Sequence, residues 1–166
     1  MIKHDLEAIL TGTEIAVRLV YREMTELPGI IQIFGGTDAE YTVLPLVWRN
    51  AGEWRAVLNA LRKVMLDQIV VGYVTVNETW VARYDMAGPA PDQAGFVMPS
   101  ERVDRREVLC LMGVLRSGEK LGRFFEIERD GAGMVTELKR DEFGQAADFF
   151  GELSELFEPG DVAGRA

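Results

Sequence analysis

The run EVLCLMGVLR, residues 107–116, decides the fold of this protein. A β-strand presents alternate side chains to opposite faces of a sheet, and in this run both sets are apolar. The first set comprises Leu109, Leu111 and Leu115, and the second comprises Val108, Cys110, Met112 and Val114. Because such a strand needs cover on both faces, the pattern predicts a place in the middle of a sheet.

Segments on both sides of this run extend the sheet. Before it, residues 69–84 read as one long strand, IVVGYVTVNETWVARY. After it, glycine-containing turns separate LGRFFEIERD and MVTELK, which predicts an antiparallel meander of sequential strands. Near the start of the chain, IIQIF and YTVLPLVW are joined by a short loop and predict a hairpin. Pro45 in the second of these indicates an edge strand or a bulge.

Three stretches have helical spacing. Apolar residues recur at three and four from about residue 3 to 26, and Asn50 with Glu53 forms a capping box before a second helix that ends near Gln68. A third helix is predicted from about Gln145. The order favours an α+β fold: a mainly antiparallel sheet of five or six strands with about three helices packed mostly on one face. Residues 1–158 are expected to form one domain, followed by a flexible tail, 159–166.

Helices on one face would leave the other apolar face of the sheet uncovered. Either the loop of residues 86–106 folds over this face or a second copy of the chain covers it. The sequence therefore predicts a homo-oligomer.

Charge and cysteine content restrict the partners. The chain has 18 basic and 27 acidic residues, a formal charge of −9, which repels nucleic acid and anionic lipid. The single cysteine, Cys110, excludes an intramolecular disulfide and fits a reducing compartment. No apolar run reaches the length of a membrane span, and no secretory pattern opens the sequence. We therefore expect a cytoplasmic protein without nucleic-acid or membrane partners.

The most charged stretch precedes the central strand. Six charges fall within residues 101–107, where Glu101, Asp104 and Glu107 balance the arginines at 102, 105 and 106. One interpretation is a solvated loop with local ion pairs. The other is a pocket in which Glu78, Asp104 and Glu107 hold a divalent cation and Arg105 acts as an electrophile, as in a small metal-dependent hydrolase.

Other chemical patterns are weaker. Pro91-Asp92 with Glu137-x-Lys139 resembles the PD-(D/E)xK nuclease pattern, but Asp92 lies in a loop-forming stretch far from the second motif. Cys110 has only His4 as a possible base, so a buried structural thiol is expected. We predict no cofactor, no metal and no assignable catalytic residue.

The segment P-S-E-R-V-D-R-R-E, residues 99–107, together with E-T-W at 78–80, is similar to small uncharacterised bacterial and phage-associated proteins with a P-S-x-x-x-D-R-x-E signature. The resemblance covers about residues 78–115 and transfers no mechanism. It implies one binding constellation, made of Glu78, Trp80, Pro99, Ser100, Asp104, Arg105 and Glu107.

These observations predict a non-enzymatic, self-associating protein that acts through protein contacts, as an assembly or accessory factor. Two alternatives remain open. One is the metal-dependent hydrolase, and the other is a small-molecule binding module with an apolar cavity between the sheet and the loop of residues 86–106.

Overall fold

The computed structural model describes residues 5–35, 41–67, 69–82, 84–85, 87–141 and 152–157. Within them, two α-helices and six β-strands follow one another along the chain. Their bounds are β1 (Ile30–Gly35), β2 (Tyr41–Pro45), β3 (Val70–Val81), β4 (Arg106–Leu115), β5 (Lys120–Arg129), β6 (Val135–Asp141), α1 (Leu6–Tyr21) and α2 (Ala51–Met65).

The strands form one antiparallel sheet in the order β2-β1-β3-β4-β5-β6. β4 to β6 form the predicted meander, β3 pairs with β4, and β1 pairs with both β2 and β3. The α+β class, the antiparallel sheet and the central position of β4 are therefore confirmed. β2 is an edge strand, as Pro45 indicates.

Helix α1 covers one face of the sheet. The carboxylate of Asp5 accepts hydrogen bonds from the backbone N–H groups of Glu7 and Ala8 at 3.1 and 3.3 Å, which caps the first turn. The buried stripe of the helix packs against β4 and β5. Helix and strand side chains here form one hydrophobic cluster, which includes Leu10, Val17, Tyr21, Leu109, Leu111 and Phe125. We call the side of the sheet that α1 covers the α1 face.

Helix α2 covers the opposite face. The predicted capping box is confirmed: Asn50 accepts from the Glu53 N–H at 3.0 Å, and the Glu53 carboxylate accepts from the Arg49 N–H at 2.7 Å. Its buried residues pack with the other set of strand side chains and with the segment 152–157. This cluster includes Leu58, Leu61, Met65, Tyr73, Met112, Val114 and Leu156. The Tyr73 hydroxyl donates to the carbonyl oxygen of Leu153 at 2.7 Å.

The prediction that the helices lie mostly on one face is wrong for the two helices of the described residues. Met112 and Val114 are buried in the single chain because α2 and residues 153–157 lie over this part of the sheet, and Val108 on the same face is buried as well. The uncovered face from which self-association was argued therefore does not exist there. Any self-association has to use another surface.

The predicted third helix lies largely outside the described residues. Of this stretch the structure describes only 152–157, where Glu152–Ser154 forms a short 3-10 helix. The predicted tail, 159–166, lies outside them too. Neither of the two described helices is long and apolar enough to cross a bilayer.

Candidate functional site

Two of the predicted site residues, Glu78 and Glu107, meet at Arg129 of β5. The Nε and Nη2 atoms of Arg129 donate to the two oxygens of Glu107 at 2.8 and 2.6 Å. Nη2 also lies 3.5 Å from Glu78 Oε2. Glu78 in turn accepts from the Tyr21 hydroxyl and from the Leu27 N–H, the latter at 2.9 Å. We call Tyr21, Glu78, Glu107 and Arg129 the Arg129 cluster.

The Arg129 cluster joins separate parts of the chain. Arg129 Nη1 donates to the backbone carbonyl oxygens of Thr25 and Gly133, the latter at 3.0 Å. These bonds tie the connection after α1 to the turn between β5 and β6. The side chains of Glu78, Glu107 and Arg129 are 15–22% exposed, so water screens their attraction only in part.

Charge and burial set the protonation states of this cluster. The hydrogen bonds to Glu107 raise the pKa of the Arg129 guanidinium, and Arg129 stays charged. Burial, and then the hydrogen bond to the Glu78 carboxylate, raise the pKa of Tyr21, so its hydroxyl remains a donor. The Arg129 cluster therefore stabilises the fold. The Tyr21 hydroxyl stays protonated at neutral pH and cannot act as a base.

Asp104 does not join the two glutamates. Its carboxylate accepts from Nε and Nη2 of Arg102 at 2.7 and 2.8 Å, and these bonds lower the pKa of Asp104. The described residues hold no group of three or more histidine, cysteine or acidic side chains placed for a metal ion. The proposed Glu78, Asp104 and Glu107 metal cluster is therefore absent from this part of the chain.

Trp80, Arg105 and Ser100 form a second constellation beside the Arg129 cluster. Trp80 lies directly opposite Glu107 in the β3–β4 register. The guanidinium carbon of Arg105 lies 4.7 Å from the centroid of the Trp80 ring, within the range of a cation–π contact. Arg105 also donates to the backbone carbonyl oxygen of Ser100. Ser100 thus contributes its backbone to this arrangement.

A matching pair that the sequence analysis missed lies next to it. Arg102 stacks over the Tyr84 ring at 4.7 Å, and Tyr84 stacks on Phe96 with centroids 4.8 Å apart. The Tyr84 hydroxyl donates to the carbonyl oxygen of Val97 at 2.5 Å. An aromatic residue shortly after β3 and a second before the charged stretch were the only signals in the sequence.

These residues form an exposed surface. Trp80 and Tyr84 are 41% and 37% exposed, and Val103, between Arg102 and Asp104, is fully exposed. We call Trp80, Tyr84, Arg102, Val103 and Arg105 the aromatic–arginine surface. Of the seven residues in the predicted binding constellation, it contains Trp80 and Arg105, while Ser100 and Asp104 hold its arginines in place. Pro99 begins the short 3-10 helix Pro99–Glu101, which includes Ser100.

The nuclease-like pattern and the small-molecule cavity, both considered in the sequence analysis, find little support among the described residues. Lys139 forms an ion pair with Glu128, and Asp92 is an exposed residue in the connection between β3 and β4, away from any shared strand pair. For a small ligand, the structure has an open cleft of about 210 Å³ between α1 and β6, lined by Arg18, Arg22 and Glu137. This cleft is not the predicted cavity under the loop of residues 86–106.

Cys110 is expected to be unreactive in the folded protein. Burial raises the pKa of its thiol to about 12, so that near pH 8 only about one thiol in ten thousand is ionised. Iodoacetamide should leave Cys110 unmodified in the native protein and alkylate it readily after unfolding in urea, as followed by mass spectrometry. Rapid alkylation of the native protein would contradict this placement.

Comparisons of the chain with protein-family models, with curated proteins and with solved structures found no match. The resemblance of residues 78–115 to phage-associated proteins therefore stays a prediction.

Proposed function

We propose that the protein acts through protein–protein contacts, as a self-associating assembly or accessory factor. The aromatic–arginine surface is one of its contact surfaces. Tryptophan, tyrosine and arginine are the residue types enriched among those that dominate binding energy at protein interfaces. Here Trp80, Tyr84, Arg102 and Arg105 are neighbours on one exposed surface.

The observation that carries this proposal is the local fixation of these side chains. Ser100 holds Arg105 over Trp80, and Asp104 holds Arg102 over Tyr84 by two hydrogen bonds. Side chains that are already ordered lose less conformational entropy on binding. An exposed loop whose only role is solvation does not need such support.

The charges of the aromatic–arginine surface restrict the chemistry of the partner that it can bind. Asp104 neutralises Arg102, whereas Arg105 is bonded to a neutral carbonyl oxygen and forms no ion pair with the described residues, so that its charge on the Trp80 ring is not neutralised by them. Val103 adds a fully exposed apolar side chain. The surface therefore suits a protein partner with an apolar patch next to a carboxylate or a carbonyl oxygen.

Photocrosslinking tests this function. With a photoreactive amino acid at position 103 of the full chain in cells of the source organism, we expect adducts of discrete mass. Mass spectrometry of the adducts would identify the crosslinked partner as a second copy of the chain or as another protein. Because Glu119 is exposed in the turn between β4 and β5, the same probe there is a control that should give a weaker yield. An equal, diffuse yield at both positions would contradict the proposal.

A further inference from the structure

The two edges of the sheet differ in how they are protected. Edge strand β6 carries Glu137, Lys139 and Arg140. The carbonyl oxygen of Leu138 is occupied by Arg18 Nη1 of α1 at 2.9 Å. Charged side chains and a blocked carbonyl are devices by which natural sheets prevent a further strand from pairing. The β6 edge is therefore closed to association.

Edge strand β2 carries no charged side chain, and Pro45 is the one protective residue within it. Its residues, Tyr41–Pro45 with the sequence YTVLP, carry no charge, and all of them are exposed. Tyr41 and Val43 are 57% and 47% exposed. They lie on the α1 face, but α1 packs mainly over β4 and β5 on that face and leaves them uncovered. Val47 and Trp48, which follow the strand, add exposed apolar side chains.

The register of β1 and β2 shows which backbone groups of β2 are free. Leu46 N–H donates to the Gly29 carbonyl oxygen at 2.6 Å, so these two residues form a hydrogen-bonded pair. Such pairs alternate along an antiparallel ladder, which directs the backbone of Thr42 and Leu44 toward β1. The backbone groups of Tyr41, Val43 and Pro45 then point to the open edge. Pro45 lacks an N–H, so the donors of this edge that have no partner among the described residues are those of Tyr41 and Val43.

We propose that β2 pairs with β2 of a second copy of this chain, antiparallel about a two-fold axis at Val43. In this register Val43 exchanges both backbone hydrogen bonds with the partner's Val43. The Tyr41 N–H donates to the carbonyl oxygen of the partner's Pro45. Each free N–H of the edge thereby gains an acceptor, and only the carbonyl oxygen of Tyr41, opposite the proline nitrogen, gains no donor in this ladder. The inference rests on the self-association in the proposed function and names the surface responsible.

A second copy fits this edge better than an unrelated peptide. An antiparallel edge strand is its own complement under a two-fold axis, so one strand supplies donors and acceptors in matching positions. The uncharged strand places no like charges in direct contact, although each chain carries a formal charge of −9. The two chains repel one another at long range, and salt screens this repulsion.

Light scattering and sedimentation equilibrium of the full chain at micromolar concentrations test the inference. The native protein should have twice the 18.6 kDa mass of one chain. Val43→Lys should raise the dimer dissociation constant by roughly tenfold or more, because it places two positive charges at the two-fold axis. Val64→Lys is the matched control: Val64 is 41% exposed on α2, and its replacement should leave the constant unchanged.

The possible results distinguish failure of the β2 interface from failure of self-association in general. A native dimer that Val43→Lys and Tyr41→Lys both leave intact would overturn the edge-strand interface while self-association stands. A native chain that stays monomeric would contradict self-association itself. Raising salt from about 0.05 to 0.5 M should strengthen the dimer, and weakening would overturn the pairing of like-charged copies. Thermal unfolding of each variant confirms that it is folded, since Tyr41 and Val43 are exposed in the single chain.

Discussion

Replacement of Gly113 by valine is expected to lower the free energy of unfolding by about 3 kcal/mol. Gly113 lies in the central strand β4, beneath the first residue of α1. A Cβ atom at this position would lie 2.5 Å from Leu6 Cδ1 and 3.2 Å from Leu6 Cγ. Leu6 is fully buried, so either its side chain leaves its packed rotamer or α1 moves away from the sheet to relieve the overlap. Urea unfolding followed by tryptophan fluorescence measures the loss.

Three further variants test whether the contact with Leu6 is the cause of this loss. Gly131→Val places the same side chain where no atom lies within 4 Å, and it should change stability little. Leu6→Ala alone should cost about 3 kcal/mol as a large-to-small core replacement. Combined with Gly113→Val, it should cost at least about 1 kcal/mol less than the sum, because the valine occupies the space that leucine leaves. Strict additivity would contradict close contact between α1 and β4 at this point.

Replacement of Arg129 by methionine should lower the free energy of unfolding by about 2 kcal/mol. Loss of one partner from a buried ion pair costs about 3–5 kcal/mol, and partial exposure reduces this value. The variant leaves Glu107 without its two charge-assisted hydrogen bonds and places it beside Glu78 without a counter-ion. The backbone bonds to Thr25 and Gly133 are lost as well.

The double variant Arg129→Met with Glu107→Gln separates charge from packing. Because it removes the unpaired carboxylate, it should recover part of the stability that the single variant loses. Lys139→Met breaks the exposed ion pair with Glu128 and should have little effect. If Arg129→Met and Lys139→Met unfolded at the same urea concentration, the Arg129 cluster would have no stabilising role.

The sequence predicted the sheet well because its signals are local. Alternation in residues 107–116 identified β4 as a strand with two buried faces, and glycine turns separated the strands of the meander. Pro45 marked an edge strand for a reason that the register makes explicit: its nitrogen faces the open side of β2. The capping residues Asn50 and Glu53 located the start of α2.

The candidate site was predicted in part. Glu78, Trp80, Ser100, Arg105 and Glu107 come together around the end of β3, but Asp104 turns to Arg102. The residue that decides the chemistry of the two glutamates is Arg129, which lies 22 residues after Glu107 in the sequence. Nothing in the local pattern distinguishes it from other arginines, because its role depends on the pairing of β4 with β5.

The amino-acid sequence by itself determined the order of the six strands and two helices of the described residues, the two buried faces of β4, and the edge position that Pro45 indicates for β2. Periodicity, capping residues and turn residues act over a few positions, so these features can be read along the chain. Only the tertiary structure decided that α1 and α2 lie on opposite faces and that Arg129 neutralises Glu78 and Glu107. These features depend on the path of connections between distant segments, and an amphipathic helix has the same pattern whichever face of a two-sided sheet it covers.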